Sequence, residues 1–265
     1  MIVYICSKYS RSGNEKNINY IDQKLQEIYP DIVSCYLDEI DKIEKDKVEK
    51  VIFNGGDGVF HQVINHFKDY LSQITFGYIP TGTANDIGKT LGIKSIDDGL
   101  AIIKEGIEKE EGIIEINDDI AVYAISVGEM SRVSIGTLGR SKKHFGKLIY
   151  KIKGIRYLFS KKKEIRINGE LKKIKVAIIV KSKYLGGVKI GKSIDDNIHL
   201  FLIKNIFDVI NLFVFNRFHK IKGIICNDLE IESDSIWCVD GEKADYTMVR
   251  ITKSDKKIKM LSKNA

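Results

Sequence analysis

The stretch VIFNGGDGVF, residues 51–60, decides how the chain is read. An apolar run breaks into Asn-Gly-Gly-Asp-Gly. It then resumes with Val59, Phe60, Val63, Ile64 and Phe67 at helical spacing. A tight turn needs one glycine, at most two; here three surround a single carboxylate, Asp57. The placement is that of a strand end that opens a helix. In open α/β sheets ligands bind outside the carboxyl ends of strands. A helix N-terminus offers unpaired N–H groups and the positive end of a dipole, which suits phosphate. Glycine lets a backbone come close to such a group.

Working outward, the pattern repeats. IVYIC (2–6) reads as a buried strand, followed by the loop SKYSRSG. Ile18, Ile21, Leu25 and Ile28 predict a helix that Pro30 stops. DIVSCYL (31–37) predicts a second strand, 37–50 a short charged helix, VIFN a third strand and ITFGYI (74–79) a fourth. Two more helices are expected near 85–92 and 95–106. Strand alternating with helix argues for a parallel, doubly wound sheet. After Gly106 the pattern changes to short strand-like runs separated by turns, among them EIRINGE, KVAIIVKS, NIHLFLI and SIWCVDGE. That predicts a second, mostly antiparallel, β-sandwich-like domain. Helices near 143–159 and 206–219 interrupt it. The expected domains are 1–110 and 111–265, with a return of the C-terminal segment to the first left open.

With 43% hydrophobic and 30% charged residues, 265 residues can bury a real core beneath a charged surface. The net charge of +7 points to a lysine-rich surface and to anionic partners. Cys6, Cys35, Cys226 and Cys238 show no ligand-like spacing, so neither a disulfide framework nor a cysteine metal site is expected. The start lacks the basic and apolar regions of a signal peptide, and no apolar run reaches the length of a membrane span. The expectation is a cytoplasmic protein.

Three strand ends carry phosphate-compatible turns: Ser10, Arg11, Ser12 and Gly13; Asn54, Gly55, Gly56, Asp57 and Gly58; and Gly82, Thr83, Asn85 and Asp86. Together they describe a nucleotide polyphosphate site. No G-x-x-x-x-G-K-[ST] and no G-x-G-x-x-G is present, which excludes a P-loop and a dinucleotide fingerprint.

GGDGVFHQVIN, followed by IPTGTANDIGKTLGI, resembles the catalytic domain of diacylglycerol kinases and related lipid kinases, including sphingosine kinases. HFGKLIYKIKGIRYLF, GGVKIGKSIDDNIHLFLIK and CVDGE extend the likeness over nearly the whole chain. The resemblance implies a nucleotide domain of the kind shared with NAD kinase, followed by a β-rich acceptor domain. It implies ATP with Mg²⁺ and transfer of the γ-phosphoryl to a lipid hydroxyl. It makes Gly55, Gly56, Asp57 and Gly58 the phosphate turn. Ser12 and Gly13 match the first-strand Ser-Gly, and Gly82, Thr83, Asn85 and Asp86 match Gly-Thr-x-Asn-Asp. Asp57 and Glu242 become the candidates for metal handling and proton acceptance, in either order. Asp195 falls where some bacterial members hold a structural Mg²⁺.

The chain also departs from that pattern. Val59 stands where the family has Thr, Phe60-His61-Gln62 replaces Leu-Asn-Glu, and Tyr9-Ser10 replaces Asn-Pro. These changes bear on rate and nucleotide choice. The segment 140–163 holds ten Lys or Arg and no Asp or Glu, with apolar residues at helical spacing. It suits either packing on its own domain or contact with an anionic membrane. The expected partner is a lipid substrate at a membrane surface, with no nucleic acid and with a homodimer left open. The competing readings are a catalytically weak, nucleotide-binding regulatory protein and a kinase for a non-lipid acceptor, as in NAD kinase.

Overall fold

The structure is a computed structural model. It describes residues 1–8, 12–129, 131, 160–186, 188–190, 197–213 and 218–263. The chain forms two compact units, Met1–Gly112 with Asp255–Ala265, and Ile113–Ser254.

The first unit alternates strand and helix: β1 (Ile2–Cys6), α1 (Glu15–Ile28), β2 (Val33–Tyr36), β3 (Lys50–Gly55), α2 (Asp57–His66), β4 (Thr75–Pro80), α3 (Asp86–Thr90), α4 (Ile96–Glu105) and the start of β5 (Glu108–Ile116). The sheet runs β2-β1-β3-β4, all parallel. β3 and β4 are buried almost throughout, so both faces of these strands are covered and their sequence is a continuous apolar run. The order reverses between β1 and β3, which makes the carboxyl ends of these strands the topological switch point.

Local chemistry sets the helix boundaries. Asn14 caps α1 by accepting from the Asn17 amide at 2.9 Å. Ser95 caps α4, and Gly106, at φ +69°, ends it in the left-handed conformation. The charged helix expected over 37–50 is absent. Two short 3₁₀ turns, Leu37–Lys42 and Lys45–Lys47, take its place. Leu37, Ile40 and Ile43 recur every three residues, a spacing that fits three residues per turn better than an α-helical stripe.

The second unit is antiparallel. It contains the end of β5, β6 (Asp119–Ala121), β7 (Ala124–Val127), β8 (Lys163–Ile167), β9 (Glu170–Ile174), β10 (Val176–Val180), β11 (Tyr184–Leu185), β12 (Val188–Lys189), β13 (His199–Ile203), α5 (Ile206–Phe213), β14 (Gly223–Ile225), β15 (Asp228–Glu232), β16 (Trp237–Val239), β17 (Glu242–Ala244) and the first half of β18 (Met248–Leu261). One sheet runs β14-β13-β10-β7-β16-β17. In the other, β15 pairs with β8 and with the first residues of β18, and β8 pairs with β9. Ile125, Val127, Ala177, Ile179, Leu200 and Trp237 from the first sheet meet Ile165, Ile167, Leu229, Ile231, Val249 and Ile251 from the second in one buried core. Two sheets facing each other across such a core form a β-sandwich. The last residues of β18 belong to the first unit, where Lys259 and Met260 pair in parallel with Thr75 and Phe76.

The helix expected over 206–219 ends at Phe213. The helix expected near 143–159 lies outside the described residues, as does nearly all of the basic segment 140–163.

Candidate functional site: three turns at the switch point

The three expected phosphate turns meet in the first unit, and Asn54 joins them. It ends the apolar run of β3 and is fully buried. Its Oδ1 accepts from the Tyr4 hydroxyl at 2.9 Å and from the Ser7 amide at 3.0 Å. Its Nδ2 donates to the Ser7 carbonyl at 3.1 Å and to Thr81 Oγ1 at 3.2 Å. One amide thus ties the ends of β1, β3 and β4 together. Expected as a nucleotide contact, Asn54 has a side chain already filled by protein partners, and its work is positioning. The turns are joined again through backbone: the Ser12 amide donates to the Thr81 carbonyl at 2.8 Å, and the Thr81 and Gly82 amides donate to the Gly55 carbonyl at 2.9 and 3.1 Å.

The glycines follow from these contacts. A Cβ on Gly82 would lie 2.4 Å from the Gly56 Cα, and one on Gly55 would lie 2.4 Å from the Val59 Cβ. Two backbones touch where Gly56 meets Gly82, and α2 turns back over Gly55. Gly56 itself caps α2 in extended conformation, at φ −103°, with no side chain on the helix N-terminus. The cramped turn and the open N-terminus are therefore one feature: the glycines let two turns touch and leave the first amides of α2 uncapped by any side chain.

Asp57 begins α2 and is buried. Its Oδ1 accepts from the Ile87 amide at 3.0 Å, so it serves the start of α3 from across the two turns. Asp86, almost wholly inaccessible, stands next to it, with Lys89 Nζ 3.7 Å from its Oδ1. Lys89 also donates to the Ala84 carbonyl. Burial, and then the charge of Asp86, push the Asp57 carboxyl up to about 7; the Ile87 and Asp86 amides and Lys89 pull the other way. Asn85 holds a left-handed backbone at φ 49° just before Asp86. Its Nδ2 donates to the Gly82 carbonyl at 3.1 Å. Gly13 is buried, while Ser12, Gly58 and Thr83 are partly exposed around this cluster.

Residues 13–116, which take in the 55–58 and 82–86 turns and Gly13 of the first turn, match the family described as "Diacylglycerol kinase catalytic domain". By sequence this stretch, well under half of the chain, is similar to that catalytic domain. Curated relatives named "Diacylglycerol kinase" from Staphylococcus aureus, strains JH9 and Newman, are 30% identical over 121 residues. That alignment covers 45% of this chain and 38% of each relative, so the chain matches well under half the length of the curated relatives. A solved diacylglycerol kinase from Bacillus anthracis str. Sterne superposes with a TM-score of 0.79 at 19% identity, over 99% of this chain and 96% of that one. An NAD kinase from Archaeoglobus fulgidus, solved in complex with ATP, superposes with a TM-score of 0.57 at 12% identity, over 99% and 94%. The two structures establish the fold: a parallel nucleotide-domain sheet with a second, antiparallel part.

Against the family pattern, Val59 is the Gly55 neighbour just described, and it brings only methyl groups to that position. His61 lies on α2, where Asn65 Nδ2 donates to its carbonyl at 3.0 Å and stands 3.3 Å from its Nδ1. Ser10 and Arg11 lie outside the described residues, and so does Asp195. Among the described residues no three His, Cys, Asp or Glu cluster as a metal site. No described helix is long and apolar enough to cross a membrane.

Glu242 belongs to the second unit, where it opens β17 opposite Val239 and is partly exposed. The turn before it is a two-residue hairpin, with Asp240 at φ 48° and Gly241 at φ 93°. Positive φ at both positions is the type I′ geometry, which matches the twist of the flanking strands. Asp240 is the residue that reading the sequence missed. Its carboxylate accepts from the Val122, Tyr123 and Ala124 amides at 2.6, 2.9 and 2.9 Å. It locks the hairpin, and so the backbone of Glu242, to the start of β7. The signals in the sequence were the Asp-Gly pair of a tight turn and its place in CVDGE, where Glu242 took the attention.

Proposed function

We propose that the protein is an ATP-dependent lipid kinase that transfers the γ-phosphoryl group to the hydroxyl of diacylglycerol or a related lipid. The observation that carries this reading is the set of three turns knotted by Asn54 at the switch point, beside the uncapped N-terminus of α2. Phosphoryl transfer needs positioning and charge neutralisation more than covalent help. Backbone amides of the 55–58 turn receive phosphate oxygens, and residues 10–13 and 82–86 flank them.

The donor set beside that turn suits Mg²⁺. Asp57 and Asp86 are hard oxygen ligands whose mutual repulsion a cation relieves, and Mg²⁺ sites commonly combine one or two carboxylates with substrate phosphates. When bound, the ion supplies neutralisation of phosphate charge. Glu242 accepts the proton of the acceptor hydroxyl. The lipid is presented at a membrane surface, and the basic segment 140–163 makes the electrostatic contact with anionic headgroups.

The test is labelled ATP with a panel of lipids, the product read by chromatography. The expected result is a phosphorylated lipid, with turnover lowered about 10²–10⁴-fold by Glu242→Gln or Asp57→Asn while ATP binding persists. ATP binding without transfer to any lipid would instead favour a regulatory protein on the kinase fold. Transfer to a soluble dinucleotide would favour the NAD kinase-like alternative.

A further inference from the structure

The Gly55 carbonyl oxygen is a hub. Besides the two amides of the neighbouring turn, it accepts from the Tyr78 hydroxyl at 3.0 Å. Tyr78 is buried in β4, with its ring centroid 5.4 Å from that of Phe53 and 5.2 Å from that of Phe60. Phe53 and Phe60 stand 5.1 Å apart, edge to face. Three rings thus fix where the hydroxyl can be. The same hydroxyl lies 3.3 Å from Asn85 Oδ1. Asn85 Nδ2 bonds the Gly82 carbonyl, which settles that its amide turns Oδ1 toward Tyr78. Burial, together with Asp57 and Asp86, raises the Tyr78 hydroxyl far above its ordinary value, so it remains a donor.

A trans peptide points its C=O and N–H in opposite directions. Clamping the Gly55 carbonyl from below therefore aims the Gly56 N–H, one bond away, to the other side of the turn. That N–H lies at the cap of α2, next to the uncapped helix amides. The Asn85 contact fixes the left-handed residue that starts α3. One phenol thus touches both glycine-rich turns, at the Gly55 carbonyl of one and the Asn85 side chain of the other.

We propose that Tyr78 is a positioning residue for nucleotide phosphate: its one hydroxyl proton, shared between the Gly55 carbonyl and Asn85 Oδ1, holds the Gly55–Gly56 peptide beside the Asn85 side chain in the orientation that presents backbone amides to the phosphate chain. This rests on the nucleotide reading of the site. It places a chemical requirement on one atom that touches no substrate.

Tyr78→Phe tests it. The variant keeps the ring and its aromatic neighbours, and the Gly55 carbonyl keeps two amide donors. The experiment titrates ATP and adenosine separately into wild type and variant, with unfolding temperature measured in parallel. The expected result is a loss of about tenfold in ATP affinity, the worth of one hydrogen bond that orients a dipole, with adenosine affinity unchanged. A general loosening of the unit would weaken both ligands alike, and that outcome overturns the proposal. Equal ATP affinity in wild type and variant also overturns it while leaving the nucleotide reading intact. Failure of wild type to bind ATP overturns both. Should Tyr78→Phe not fold, Asn85→Gly keeps the left-handed backbone and removes the amide that Tyr78 meets. It is expected to show a smaller loss of the same ATP-selective kind, and no such selectivity would again overturn the proposal.

Discussion

Two buried aspartates stand in turns of the two units, and their surroundings differ. Asp240 receives three backbone amides within 3.0 Å. Asp57 receives the Ile87 and Asp86 amides but faces a second buried carboxylate, Asp86, and burial raises it. Both carboxyls organise a turn from a distance, since each accepts from a segment far away in sequence. Only Asp240 is matched by donors in number. The carboxyl of Asp57 is held against its own electrostatic preference. A carboxyl raised by burial and a like charge, next to an uncapped helix N-terminus, is the pattern expected of a functional site rather than of a strut.

That contrast can be broken by substitution. The largest effect is expected at the strut. Asp240→Ala strands three buried amides, each costing about 1–3 kcal/mol, so unfolding free energy should drop by about 3 kcal/mol or more. Urea unfolding monitored through Trp237, buried in the core of the same unit, measures it. A loss under about 1 kcal/mol would mean that the three short bonds contribute nothing net.

Gly82→Ala comes next. Its Cβ would fall 2.4 Å from the Gly56 backbone, which no side-chain rotation can relieve. Overpacking of this kind costs about 1–3 kcal/mol. Here it also separates the two turns, so ATP affinity should fall by more than tenfold. Calorimetric titration checks it. Unchanged affinity would show that contact of the two turns is not what shapes the phosphate site.

The fold was legible where burial is simple. β1, β3 and β4 are buried on nearly every residue, so IVYIC, VIFN and ITFGYI stand out as unbroken apolar runs. β18 was not recognised: MVRITKSDKKIKML is rich in lysine, and only its alternation, Val249 and Ile251 in and Met248 and Arg250 out, reveals a strand with one face wet. The turn cluster was legible as three glycine-bearing strand ends. The wiring beneath it was not. Tyr4 and Tyr78 sit inside apolar strands, where an aromatic reads as ordinary core, and Asn54 reads as part of the turn that follows it. Their hydroxyl and amide partners come from other strands, 23 to 50 positions away. Sequence spacing carries no trace of such pairs. Asp240 was hidden for the same reason, its three partners lying 116 to 118 positions away.

The most direct test of the contrast is the pH dependence of stability, wild type against Asp57→Asn. A carboxyl raised in the folded state from its ordinary value to about 7 binds its proton more tightly folded than unfolded. Its contribution therefore favours the fold at low pH and is lost as pH rises toward 7. Unfolding free energies from urea titrations at pH 5, 6, 7 and 8 supply the curves. The wild-type curve should fall relative to that of Asp57→Asn between pH 5 and 7, and the two should run parallel above about 7.5. Parallel curves throughout, or a wild type that gains stability over the variant as pH rises, would show that Asp57 is as well matched by its surroundings as Asp240. The distinction between site and strut would then fail.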